Sequence, residues 1–413
     1  MRNRIFFPKE VTIKTNFTAS IDYSYLIPLN DFRVWIYFSD GHWIYHDCLE
    51  NKTISKGELN FGATQLTEYI KAPKALDNVH IVYANSATFK LERLNLETGQ
   101  IDQTWSCDAP CTEALQEVER SNASRRATDA LNELKIEILR KSKHVAVLDS
   151  KEIDYRNTTF YLTVYGPDQS RIQFTQTLRQ KVMNLSKVNE DNLLVLWHPH
   201  HEGLKFEFHL ADIYKKDEGF QSIKFQETYR TLLLDCFPWE KNTIVFFGNA
   251  DGCGVPDQYV CDFVNKTSER RSLPYSPEGR QVILAEVLPV DTERKYVLAI
   301  EGSEPQNVVL LDGNTGKASF MKRQGENSMY AVSLDGKYFV EYESSMSCEA
   351  DPNCPNETKL KICRYFGKKI YILHLLNEAK TKTTKESFFS YYKSPYVAKH
   401  IVEMICGEKL GHN

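Results

Sequence analysis

The run "HPHHEG" brings His198, His200, His201 and Glu202 together within one short stretch of chain. Imidazole nitrogens and a carboxylate are ordinary ligands of zinc and related ions. Residues this close in sequence rarely complete one tetrahedron, so a metal site needs a partner from elsewhere. "SDGH" offers Asp40 and His42. The competing reading of both runs is a solvated loop.

"NADGCGVPD" is the second candidate. Asn249, Asp251 and Asp257 carry oxygen ligands, and Gly252 and Gly254 allow a bend. The run resembles the oxygen-rich calcium loops of thrombospondin type-3 repeats and dockerins. That resemblance implies calcium, although the EF-hand spacing with its terminal Glu is missing. The competing reading is a glycine-rich turn. "DGNTGKAS" has the Gly-Lys of a phosphate loop without its spacing. No G-x-S-x-G elbow and no His-Glu-x-x-His run occurs, and no carboxylate pair stands out. The sequence therefore leans away from an enzyme and from a bound cofactor, with calcium or zinc as the open exceptions.

The cysteines raise a different chemistry. There are ten, and "MSCEADPNCPNETKLKIC" holds Cys348, Cys354 and Cys363. Their spacing lacks the close pairs and the His of a structural zinc site, so a disulfide-braced loop is the expectation. Cys107 with Cys111, and Cys253 with Cys261, are further candidate cross-links, although connectivity is not readable from sequence. Asn-x-Ser/Thr triplets begin at Asn16, Asn51, Asn122, Asn157, Asn184, Asn265 and Asn356, against roughly three expected by chance at this composition. Cysteines and triplets together favour a secreted or lumenal protein over a cytoplasmic one. The opening "MRNRIFFPKEV" has too short an apolar stretch to be an export signal, so such a signal would have to lie outside the given chain. No apolar run is long enough to span a membrane as a helix.

The elements that must position these residues are strands. With 413 residues, 42% hydrophobic and 12% aromatic, the chain can bury a large core. Its net charge of -4, with basic residues in pairs rather than a stripe, makes nucleic acid an unlikely partner by chemistry. Hairpins such as "FRVWIYF-SDGH-WIYHDCL", "VHIVYA-NSAT-FKLERLNL" and "NLLVLW-HPHHEG-LKFEFHL" recur about every 48 residues. A strand precedes most hairpins, as "LKIEIL" and "TLLLDCF" do, and another such as "IDQTW" or "RIQFTQ" follows. Four strands per repeat at this period make a β-propeller blade.

The segments "LNLETGQ", "LLDGNTGK" and "AVSLDGKYFVEY" resemble turn and strand segments of WD40-like, quinoprotein-like and peptidase-associated propellers, although no Trp-Asp dipeptide occurs. The expectation is an all-β chain, 1–413 forming one seven-bladed propeller, with a helical insertion at 107–133 and a cysteine-rich insertion at 344–364. A terminal strand, either "EVTIKTN" or the region of "VAKHIVEMICG", closes the ring and removes a free edge. Connections between second and third strands, and between one blade and the next, leave on one face. Both insertions therefore decorate that face, which becomes the candidate binding surface. The resulting functional expectation is a secreted or lumenal module recognising a protein or a glycan. A metal-dependent propeller hydrolase and an intracellular scaffold with reduced cysteines are the rivals. The chain also resembles the propeller half of dipeptidyl-peptidase-type enzymes, without the hydrolase half. Ligand identity and oligomeric state stay open.

Overall fold

The computed structural model describes residues 9–14, 23–38, 41–59, 70–85, 90–106, 135–154, 157–179, 183–198, 200–201, 205–228, 231–238, 242–250, 256–272, 284–289, 296–301, 307–312, 318–323, 328–335, 338–343 and 357–364. These residues are nearly all strand. β1 (Lys9–Lys14) is followed by β2 (Tyr23–Pro28), β3 (Arg33–Phe38), β4 (His42–Asp47) and β5 (Lys52–Glu58), and the last four form the first sheet. The second sheet is β6 (Ile70–Ala75), β7 (His80–Asn85), β8 (Lys90–Asn95) and β9 (Gln100–Ser106). The third is β10 (Lys135–Leu139), β11 (His144–Glu152), β12 (Thr158–Tyr165) and β13 (Arg171–Leu178). The fourth takes β14 (Asn184–Lys187), β15 (Leu193–Trp197), β17 (Lys205–Asp212) and β18 (Gln221–Thr228), skipping the two-residue β16 (His200–His201). The fifth holds β19 (Thr231–Pro238), β20 (Thr243–Ala250), β21 (Pro256–Asp262) and β22 (Thr267–Ser272), with β16 added beside β19. The sixth is β23 (Leu284–Pro289), β24 (Tyr296–Glu301), β25 (Asn307–Asp312) and β26 (Ala318–Arg323). The seventh is β27 (Ser328–Val332), β28 (Tyr338–Glu343) and β29 (Glu357–Arg364), completed by β1.

The first strands of the sheets touch one another in the cyclic order β2, β6, β10, β14, β19, β23, β27 and back to β2. Each sheet is thus packed between two others, which explains why the second strands read as unbroken apolar runs. Along β3, Val34, Ile36 and Phe38 pack with Val11, Ile13, Tyr338 and Val340 of the seventh sheet. The alternate residues Trp35 and Tyr37 pack with Ile81, Tyr83 and Leu94 of the second. Both side-chain rows of one strand are buried, so period-two alternation disappears. Outer strands keep it: β13 alternates exposed positions with buried or part-buried ones, because only one of its faces packs on the neighbouring sheet.

β1 pairs antiparallel with β29 from Lys9↔Ile362 to Lys14↔Glu357, so the "EVTIKTN" segment closes the ring. Val11 and Ile13 are buried beside Tyr338. One boundary differs from the sequence reading. The third strand of the seventh sheet is Glu357–Arg364, "ETKLKICR", so Cys363 sits in a strand and only 344–356 is left as the connection. Leu360 and Ile362 alternate with lysines and pair with Tyr342 and Val340, a period-two signal masked by the neighbouring cysteines. The "KKIYILHLL" segment that the sequence places there lies outside the described residues, as does the 107–133 insertion.

Among the described residues, several turns joining first to second strands, and third to fourth, are short and self-capped. Asp47 Oδ1 accepts from the N–H groups of Leu49 and Glu50, both at 2.9 Å. Asp77, Asn95, Asn189 and Asp262 do the same in their own turns. Such Asx turns give backbone donors a local acceptor where no strand is available. Asn51 and Lys266 take positive φ, 52° and 55°, to complete the reversal.

The same turns tie sheet to sheet. The Tyr338 hydroxyl lies 2.6 Å from the carbonyl oxygens of both Leu29 and Arg33, sharing its proton between them. Asn30 N–H donates to Asn78 Oδ1 at 2.7 Å, and the Tyr45 hydroxyl to Asn78 O at 3.1 Å. Lys141 N–H donates to Glu190 O at 2.9 Å, and Asn189 Nδ2 to Asn242 Oδ1 at 3.2 Å. Among the described residues, this face therefore links turns from the seventh sheet through the first to the second, and from the third through the fourth to the fifth.

Candidate binding face

The three runs that offer metal ligands map to connections on the opposite face. "SDGH" joins β3 to β4, "HPHHEG" joins β15 to β17, and "NADGCGVPD" joins β20 to β21. Each is a connection between second and third strands, as is 344–356. The segment 107–134 joins the fourth strand of the second sheet to the first of the third, and leaves on the same face.

β16 brings two of these runs together. His200 pairs with Leu232 and His201 with Thr231, so these two residues of the connection leave the fourth sheet and pair with the inner strand of the fifth. β19 is itself the innermost strand of that sheet, so the two histidines stand at the inner edge of the ring of sheets. Leu232 pairs in turn with Asn249, and Gly248 with Asp257. His200 and Asn249 thus share one cross-strand row two strand spacings apart, roughly 10 Å. The sequence showed the two motifs separately; it gave no sign that β16 would join them, because a two-residue strand has no periodicity.

Other candidates do not converge there. His42 opens β4 in the first sheet, with its Nε2 3.9 Å from Glu58 Oε2. His198 follows β15 and is half-buried. The first and fourth sheets are separated by the second and third in ring order, so "SDGH" and "HPHHEG" stand at well-separated positions around it. Asp40, Asp251 and Glu202 lie outside the described residues. Among the described residues no three His, Cys, Asp or Glu side chains gather as a metal-binding group.

Cys261 is buried with Cys236, Tyr259 and Phe263 in the core between the fourth and fifth sheets. The Cys236 thiol donates to Ser186 Oγ at 2.8 Å. Cys107, Cys111, Cys253, Cys348 and Cys354 lie outside the described residues. Among the Asn-x-Ser/Thr positions, Asn51 and Asn265 are exposed on turns. Asn157 is half-buried, its Nδ2 donating to Asp154 Oδ2 at 2.8 Å. Asn184 starts the innermost strand of the fourth sheet, paired with Trp197. Asn16, Asn122 and Asn356 lie outside the described residues.

Two buried polar groups escaped the sequence reading. Glu92 is buried, and its Oε2 accepts from the Tyr83 hydroxyl at 2.9 Å and from Asn85 Nδ2 at 3.0 Å. Burial and the Glu92 charge push the Tyr83 phenol far above its ordinary range, so it stays a donor. The second is Lys187 on β14. Its Nζ lies 2.7 Å from Glu190 Oε1 and donates to Ile138 O at 3.3 Å. Arg140 stands 3.5 Å from Glu190, and Lys74 lies 3.7 Å from Glu137, so charges alternate across the inner strands of three successive sheets. Neither group announces itself in sequence, since a lone Glu or Lys in a strand usually marks a solvated position.

No protein family and no curated protein matches this sequence. Among solved structures, the chain is similar to the WD40 repeats of RRP9, with a TM-score of 0.50 and 9% identity over 86% of this chain and 98% of that one. It is also similar to a hydrazine synthase of Kuenenia stuttgartiensis, with a TM-score of 0.52 and 11% identity over 86% of this chain and 97% of that one. At such identity the likeness concerns the fold, and the fold is all-β with WD40- and propeller-like sheets. One relative is a repeat domain and the other belongs to an enzyme, so the fold alone does not choose between binding and catalysis.

Proposed function

We propose that the protein is a seven-bladed β-propeller acting as a protein-binding module through the face that carries "SDGH", "HPHHEG", 107–134 and 344–356. The observation that carries this reading is the asymmetry of the ring. Among the described residues, one face carries short, Asx-capped turns, several of them tied to one another, whereas the long connections leave on the other. A rigid wheel presenting variable loops on one side is a recognition scaffold. The cyclic contacts of the inner strands support seven blades.

The compartment we propose is secreted or lumenal, with glycans at the exposed Asn51 and Asn265 and cross-links among the cysteines outside the core. One observation favours the rival intracellular scaffold: the Cys236 sulfur is engaged as a thiol donor to Ser186.

The test is affinity capture from an extract of the native host, followed by mass spectrometry. Variants with 107–134 or 344–356 replaced by short Gly-Ser linkers are compared with Lys141→Glu on the turn face, each checked for its strand signal by circular dichroism. Partners lost from a linker variant and kept by Lys141→Glu are the expected result. An unchanged partner set in both linker variants sinks the reading.

A further inference from the structure

His80 opens β7, and its two ring nitrogens meet different groups. Nδ1 lies 2.9 Å from each carboxylate oxygen of Asp77, in the turn before it. Nε2 lies 3.3 Å from Asp102 Oδ2 on β9 and 3.4 Å from Asn95 Nδ2 at the end of β8. The Asn95 amide is fixed in orientation, because its Oδ1 accepts from the N–H groups of Glu97 and Thr98 at 3.0 and 3.1 Å. Nδ2 is therefore the end that faces the ring. In front of Nε2 stand one acceptor and one donor.

Two protonation states use these partners differently. A neutral ring with its proton on Nδ1 donates to Asp77 and accepts from Asn95. The imidazolium donates from both nitrogens, to Asp77 and to Asp102, and releases Asn95. Neither state leaves a ring nitrogen without a partner.

Asp102 reaches the ring through a backbone irregularity. Arg93 pairs with Gln103 and Leu94 with Ile101, so Asp102 is the extra residue of a β-bulge in β9. Bulges re-aim a side chain that a regular ladder would direct elsewhere. Arg93 Nε donates to the other Asp102 oxygen at 2.6 Å and holds the carboxylate in place. The charged groups around His80 on its own sheet are Asp77, Arg93 and Asp102. From the neighbouring sheets, Tyr45 reaches the Asn78 carbonyl and Arg140 the Ala75 carbonyl, in and beside the same turn.

We propose that His80 is a proton-operated clasp between β7 and β9. Protonation draws the two strands together through Asp102, across the intervening β8; loss of the proton returns Nε2 to Asn95. Histidine is the side chain whose charge ordinarily changes between about pH 5 and 8. The His80 side chain is 20% exposed and that of Asp102 30%, so the proton has access from solvent. The strand being held is the one that leads into 107–134, the longest connection between two described strands.

Amide hydrogen exchange tests this on the intact chain at about pH 5.5 and about pH 7.5, corrected for intrinsic exchange. Residues 100–106 are expected to be roughly two- to fivefold better protected at the lower pH, in keeping with a partly exposed ion pair. Residues 171–178, the corresponding strand of the next sheet, serve as the internal control and should not change. Both His80→Gln and Asp102→Asn should abolish the difference. Equal protection of 100–106 at both pH values, or the same pH effect surviving in either variant, overturns the clasp. Nitrogen chemical shifts of the His80 ring in the unsubstituted protein give a readout free of any folding defect: protonation of Nε2 without a change in the Asp102 carboxylate signal also overturns it.

Discussion

Lys187 is an ammonium with almost no water of its own. Burial pulls it below the ordinary lysine range, against the attraction of Glu137 and Glu190. Burial would raise the Glu190 carboxyl, but Lys187 and Arg140 prevail and hold it below its ordinary 4.5. Glu190 therefore contributes stability that is present above about pH 4.5 and is lost as pH falls through its lowered folded value. Lys187→Met should cost about 2 kcal/mol at neutral pH, less than the roughly 3–5 kcal/mol of a fully buried pair, because Glu190 keeps some solvent. Thermal melts of the variant and the parent between about pH 7 and about pH 3 should converge at the acid end, where Glu190 is protonated. A gap of constant size would show that Lys187 acts by packing alone. Gly57 is a second case: a Cβ there would meet Trp43 Cζ2 at 2.7 Å, with Trp43 itself buried. Gly57→Ala should destabilise by about 1–3 kcal/mol, read as a lower midpoint in urea at unchanged slope.

At the scale of elements, β1 and the capped turns carry the clearest consequences. Val11 and Ile13 are buried, and β1 supplies the outer edge of the seventh sheet. Two such side chains are worth about 3–6 kcal/mol before any backbone pairing is counted. Deleting residues 1–14 should therefore lower the melting temperature sharply and expose β29 to intermolecular pairing. Adding a peptide of sequence KEVTIK in trans should restore part of the loss, as followed by light scattering. An unchanged melt after the deletion would show that another segment can close the ring. In the turns, Asp262→Ala removes the acceptor for Val264 and Asn265 N–H. The expected cost is about 1 kcal/mol, by analogy with other side-chain caps of backbone donors. Strands such as "FRVWIYF" and "VHIVYA" were legible because both their rows are buried. β2, β6 and β14 were less legible, since their residues are mixed: "IKAPKA" carries a proline and two lysines, and "NLSK" is four residues long.

For the molecule as a whole, compartment and cooperativity of the ring have direct readouts. Intact mass of the protein from its native host, alkylated without reduction, should show few thiol adducts and added glycan if the secreted reading holds. Ten adducts with no glycan would move the intracellular scaffold to first place. Under native conditions Cys48, Cys236 and Cys261 should resist alkylation in either case, because all three are buried. The ring should unfold as a unit, since each sheet packs against two others and the Tyr338 hydroxyl joins the seventh to the first at Leu29 and Arg33. Tyr338→Phe should lower stability by about 1–3 kcal/mol, removing the donor to the buried Leu29 carbonyl, while the Arg33 carbonyl still accepts from Leu29 N–H.

Sequence by itself determined the all-β class, the repeat of four strands, the use of an N-terminal segment as one of two possible closing strands, and the face on which the long connections emerge. These follow from local propensity and from topology, which depend on the order of elements and not on their contacts. Only the tertiary structure decided that β1 is the closing strand, that "ETKLKICR" pairs with it, and that His200 enters the row of Asn249. It alone placed the Lys187 ion network and set His80 against Asp77, Asn95 and Asp102. These features depend on which strands lie side by side across long sequence separations, and a residue's burial or its second partner is set by the neighbouring sheet rather than by its own stretch of chain.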